Sequence, residues 1–277
     1  MNPHLPVRRL WLRYALSICL LSGISWQNVQ AQSAAPRVVD IPTRTGVTQR
    51  FVYLAPASAP KASVILLAGG HGGLQINEAG SFGWGGGNFL VRTRQQFADA
   101  GLAVAVIDAP SDKQSPPHLS GNRQRPEHLT DVLAVIAWLK QQSPVPVWLV
   151  GTSRGTQSAA YIATEATPAQ GGPDGMVLTS TILTDPKGRA VPQMPLEKLS
   201  IPVLVVHHQN DGCKLCAFSD MPVMMEKLAK TPKAELISVT GGQSRGDPCE
   251  AMAYHGFNGL EADVVGKISR WVIAAKP

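Results

Sequence analysis

The chain has 277 residues, 44% of them hydrophobic and 16% charged, with 26 glycines and 22 prolines. That length and apolar content allow a large buried core and exclude a disordered or low-complexity chain. The formal charge of +6 argues for an acidic partner such as nucleic acid only if the basic residues lie on the folded part.

Some of them do not. Arg8, Arg9 and Arg13 precede a mostly apolar, uncharged run from Tyr14 to Ile24, and a small-residue pattern, Val29-Gln30-Ala31, follows. A basic n-region, a short apolar h-region and a small-residue cleavage site mark residues 1–31 as a secretory signal peptide. Arg8-Arg9-Leu10-Trp11-Leu12-Arg13 also loosely resembles a twin-arginine export signal, although ordinary signals carry arginine pairs too. The working chain is then 32–277, exported to the periplasm or beyond. Without the three arginines it holds 22 basic and 19 acidic residues, a charge of +3, with no basic run. Nucleic acid is therefore not an expected partner. No later stretch reaches the roughly 18 apolar residues of a membrane span, so no membrane association is expected after the signal is removed.

Along 32–277, residues 37–41 and 50–54 read as an antiparallel entry pair of strands. Short runs rich in Val, Ile and Leu follow at 62–67, 102–107, 145–150, 176–183, 203–207 and 235–239. Continuous rather than alternating apolar residues predict strands buried on both faces of a parallel sheet. Helical patterns lie between them at 89–100, 126–141, 158–166, 221–230 and 260–275. The second carries a stripe of Leu129, Val132, Leu133, Ile136 and Leu139 behind Pro126. Such alternation predicts one α/β domain with a mostly parallel sheet flanked by helices. Only about 18 residues separate the strand ending near Leu183 from Pro202, which leaves no room for a helical lid domain.

Gly151-Thr152-Ser153-Arg154-Gly155 follows a strand and opens a helix. In that context G-x-S-x-G forms a tight elbow that exposes Ser153 as a nucleophile. A nucleophilic serine needs a base, and the base an orienting acid. Asp211 closes His207-His208-Gln209-Asn210-Asp211 at the end of a strand and is the expected acid, with Asp185 in reserve. Of the seven histidines, His4 leaves with the signal. His71 belongs to a glycine-rich loop, and His118 and His128 precede the nucleophile. His207 and His208 flank the acid as hydrogen-bonding neighbours. His255, after the last strand, is the expected base. The loop Ala68-Gly69-Gly70-His71-Gly72-Gly73 lets backbone approach a ligand closely. The N–H of Gly70 or His71, together with that of Arg154, is the expected oxyanion hole. The Arg154 side chain is expected in a helix-surface salt bridge, with attraction of an acidic substrate as the alternative.

Cys19 leaves with the signal, so Cys213, Cys216 and Cys249 remain. A redox pair, or a zinc site completed by His255, would use the same residues. A structural bridge from Cys213 or Cys216 to Cys249 suits an oxidising compartment better.

Together the glycine-rich turn, the G-T-S-R-G elbow, the strand-end Asp211 and the late His255 resemble the α/β-hydrolase superfamily over the whole of 32–277. The likeness is to its small lidless members, similar to dienelactone hydrolase and esterases. It implies an eight-stranded sheet and cleavage of a small-molecule carboxylic ester through an acyl-enzyme, with no cofactor or metal. A non-catalytic ligand-binding scaffold, or use of the same residues for acyl transfer or peptide cleavage, is the alternative. The segment between Val239 and His255 is longer than in a minimal member and carries Cys249, with Cys213 as the implied partner. Such a bridge would tie the acid loop to the base loop. Loops 74–88, 110–125 and 184–200 are expected to line the pocket.

Overall fold

The computed structural model describes Met1 and residues 35–275, so the expected signal peptide, Met1 apart, lies outside the described residues. Eight strands form one sheet: β1 (Arg37–Arg44), β2 (Val47–Leu54), β3 (Ala62–Leu67), β4 (Leu102–Ile107), β5 (Val147–Thr152), β6 (Gly175–Thr179), β7 (Val203–His208) and β8 (Ala234–Val239). Their order is β1-β2-β4-β3-β5-β6-β7-β8. β1 and β2 are antiparallel to each other, and β2 is antiparallel to β4; every pairing from β4 to β8 is parallel. The sheet is thus mixed, with its antiparallel part at one edge.

Six helices accompany it: α1 (Phe89–Arg92), α2 (Arg94–Asp99), α3 (Pro126–Gln142), α4 (Gly155–Glu165), α5 (Met221–Lys227) and α6 (Glu261–Ala274). Successive residues of one strand point to opposite faces. Ile65, Leu67 and Leu149 pack with Val132 and Ile136 of α3, Ala160 of α4 and Met224 of α5. Their neighbours Val64, Leu66 and Val150 pack on the other face with Leu90 of α1, Phe97 of α2 and Ile268 of α6. This two-faced burial explains the unbroken apolar runs.

Most expected elements shift by a few residues at their ends, and two differ further. The single helix expected over 89–100 breaks at Thr93, whose buried hydroxyl donates to Phe89 O at 2.7 Å while its own N–H donates to the same oxygen. A threonine bonding back to the preceding turn competes with helix propagation. The strand expected to reach Leu183 ends at Thr179, because Ser180 has a φ of +44° and turns the chain out of the sheet. Among the described residues no helix is long and apolar enough to cross a membrane, and no helical domain is inserted between β6 and β7.

Candidate active site

β5 runs into α4 through Ser153, which sits at a φ of +51°. The turn is held from both sides. Ser153 N–H donates to Thr179 O at 3.0 Å, and Ser153 O accepts from both the N–H and the hydroxyl of Thr156. Glycine is required at its flanks, since a Cβ on Gly151 would lie 2.5 Å from Gly155 O and one on Gly155 would collide with Leu67 O. The left-handed conformation is costly for serine and persists only under such constraint.

Ser153 lines a cavity of about 400 Å³ with Gly69, Gly70, Trp84, Arg154, Cys213, Cys249 and His255. His255 comes from a short turn ahead of α6, Asp211 from the end of β7. The His255 Nδ1 and Asp211 Oδ2 atoms are 2.9 Å apart. An ionised carboxylate only accepts, so Nδ1 carries the proton and Nε2 the lone pair. Nε2 is buried and has no hydrogen-bond partner among the described residues. The other oxygen of Asp211 accepts from Cys213 N–H at 2.9 Å. Ser180, the residue that ends β6, donates its hydroxyl to His255 O at 2.6 Å. Arg92 donates to Gly256 O and pairs with Glu261 at 2.8 Å, fixing the same turn to α1 and α6.

Cys213 and Cys249 form a disulfide across a sequence separation of 36, joining the loop after Asp211 to the segment before His255. Cys216 is a buried free thiol, its pKa driven well up by burial and by Asp211. The ligating atoms of Cys213, Cys216 and His255 lie within 4.8 Å of one another, but the Cys213 sulfur is already bonded to Cys249.

The remaining candidates settle into other roles. Asp185 accepts from Arg154 Nη1 at 2.8 Å and from Gln157, away from the imidazole. His208 accepts from Asn210 N–H at Nδ1 and donates from Nε2 to Gly241 O at 2.9 Å. His207 bonds Cys216 O, and its burial lowers its pKa. The glycine-rich loop passes close to Ser153 at Gly69, where a Cβ would lie 2.9 Å from Ser153 Cβ. The His71 ring stacks on His118 and lies tilted against Trp84, at centroid distances of 4.4 and 3.7 Å.

Several residues that hold this loop left no mark in the sequence. Arg123 donates from Nη2 to Ala68 O and Gly70 O. The buried Asp108, just past β4, accepts from the N–H groups of Leu74, Gln75, Ile76 and Ala109. The pocket-lining expectation also needs correction. Trp84, Gly85, Gly87 and Asn88 from 74–88 do line the cavity, but Cys249, Glu250 and Ala251 supply the wall expected from 110–125 and 184–200. Those two loops border a neighbouring cleft.

No protein-family model matches the chain, and no curated protein does. Solved structures do. An esterase of Pyrococcus furiosus aligns at a TM-score of 0.61 and 14% identity, over 86% of this chain and 92% of that one. The dienelactone hydrolase of Anabaena variabilis aligns at 0.58 and 15% identity, over 88% and 100%. A serine hydrolase of Xanthomonas campestris described as lacking a lid aligns at 0.54 and 16%, over 89% and 97%. The chain has the α/β-hydrolase fold. Identities this low carry the fold alone. In an α/β-hydrolase sheet, ligands bind at the C-terminal ends of the parallel strands, where Ser153 and Asp211 lie.

Proposed function

We propose that the protein is an exported serine hydrolase that cleaves a small carboxylic ester through an acyl-enzyme. Ser153 Oγ attacks the ester carbonyl and His255 Nε2 takes its proton. Asp211 accepts from His255 Nδ1–H, holds that tautomer and stabilises the imidazolium. The tetrahedral oxyanion is met by the N–H of Arg154 and that of Gly70 or His71. His255 returns the proton to the leaving alkoxide, then activates water to release the acid from Ser153. No metal or cofactor enters these steps.

The observation that carries the reading is the 2.9 Å contact between His255 Nδ1 and Asp211 Oδ2. It leaves a buried, basic Nε2 in the same cavity that Ser153 lines from a constrained left-handed turn. Turnover of p-nitrophenyl acetate tests it. The wild-type protein should hydrolyse the ester, and Ser153→Ala should lose at least about 10³-fold in kcat. Equal turnover by both proteins would favour a non-catalytic scaffold.

A further inference from the structure

Next to the Ser153 cavity lies a second cleft of about 590 Å³, and Arg154 borders both. Arg123, Arg125, Lys187 and Arg189 complete its positive lining. Among the described residues lining it, Asp185 is the one carboxylate, and Arg154, Gln157 and the Lys187 N–H already occupy its oxygens. Five cations thus face one acid.

Arg123 gives the cleft its direction. It is 5% exposed, and its partners are all neutral: Ser158 Oγ at 3.0 Å, Ala68 O at 2.9 Å and Gly70 O at 3.1 Å, with a longer contact to Gly69 O. Its Nε has no hydrogen-bond partner among the described residues. A buried guanidinium without a counter-charge is costly, and one with an unused donor more so. Burial and the charge of Arg154 push its pKa down to about 9, which still leaves it charged at neutral pH. An anion entering the cleft beside Arg123 and Arg154 would supply the missing charge.

We propose that this cleft is an oxyanion subsite that receives the carboxylate or phosphate of an acidic ester while its reacting carbonyl lies at Ser153. The inference rests on the serine-hydrolase reading for the second half of that statement and on the cleft alone for the first. Arg154 sits at the junction, one residue from the nucleophile, so an anionic group held there positions the bond to be cut. The exposed Lys187 and Arg189 gather the anion from solvent.

Two measurements on the full-length protein test it. In the first, kcat/KM for p-nitrophenyl hemisuccinate is divided by that for neutral p-nitrophenyl butyrate. The ratio should exceed one in the wild-type protein, fall about tenfold in Lys187→Glu/Arg189→Glu, and fall with added salt. Lys187→Gln/Arg189→Gln should show a smaller drop in the same direction and serves if the charge reversal folds poorly. In the second, calorimetry measures binding of succinate and of inorganic phosphate to Ser153→Ala, which needs no turnover. Binding that weakens about tenfold when the charge reversal is added supports the subsite, and the tighter of the two anions identifies its preferred group. A ratio unmoved by charge reversal, or no binding of either anion, overturns it. If neither ester is cleaved but an anion binds, the hydrolase reading fails while the subsite stands.

Discussion

On one side of the Ser153 cavity, the loops carrying Asp211 and His255 are tied to each other by the Cys213–Cys249 bond. The Ser180 hydroxyl and Arg92 fasten the His255 turn again. On the other side, the glycine-rich loop has few side chains of its own with which to hold a shape. Its peptide groups are oriented from outside, by Arg123 on its carbonyls and by the Asp108 carboxylate on the N–H groups of Leu74 to Ile76. Side chains that reach backbone hold both walls, and the base wall adds a covalent cross-link between its loops. A wall that must present N–H groups needs bare backbone, and bare backbone must borrow its rigidity.

Substitutions on the two walls should therefore separate stability from activity. The largest stability loss is expected from Cys213→Ser/Cys249→Ser. Opening a loop of this length costs about 3–4 kcal/mol on the chain-entropy model, or roughly 10 °C in melting temperature for a domain of this size. Thermal unfolding reads this directly, and ester hydrolysis at 25 °C should survive at reduced rate. Asp108→Ala leaves several buried N–H groups without an acceptor and should cost about 2–3 kcal/mol. Here kcat/KM should fall more steeply than stability, on the order of tenfold or more, because the donor wall loses its orientation. If the disulfide variant loses more activity than Asp108→Ala, the contrast between the walls is wrong.

Ser180→Ala removes one hydroxyl contact to His255 O, so about 1 kcal/mol of stability and a several-fold drop in kcat at constant KM are expected. His128 lies under the donor wall, 2.9 Å from the Ser158 hydroxyl that also takes Arg123. Burial, and then the nearby Arg123, lower its pKa to about 3. Below pH 6.5 the unfolded chain protonates this histidine while the folded protein does not, so stability should decline from pH 6.5 toward pH 3. His128→Asn should change least at pH 7 and flatten the acid side of a plot of melting temperature against pH; an unchanged slope would contradict the assignment.

Much of the frame could be read in advance. β3 and β4 match their expected bounds to the residue, because apolar runs, interrupted only by Ser63, are bounded there by Lys61 and Gly101. The positions of Ser153, Asp211 and His255 stand out because strand ends and tight turns leave local marks. Most of what could not be read depends on contacts far apart in the chain, and one local feature escaped as well. The break at Thr93 arises from a buried hydroxyl turning back on its helix. Arg123, Asp108, Ser180 and Arg92 act on backbone atoms of distant residues, and a backbone acceptor has no signature in the sequence. The wall formed by Cys249 to Ala251 follows from the disulfide, which holds that segment beside Cys213.

The central claim concerns one oxygen atom. Treating the protein with a fluorophosphonate and mapping the modified peptide by mass spectrometry asks whether Ser153 Oγ is an activated nucleophile. The expected result is a single adduct on Ser153, absent from Ser153→Ala and strongly slowed in His255→Gln. No adduct, or an adduct elsewhere that persists in Ser153→Ala, would contradict the serine-hydrolase reading.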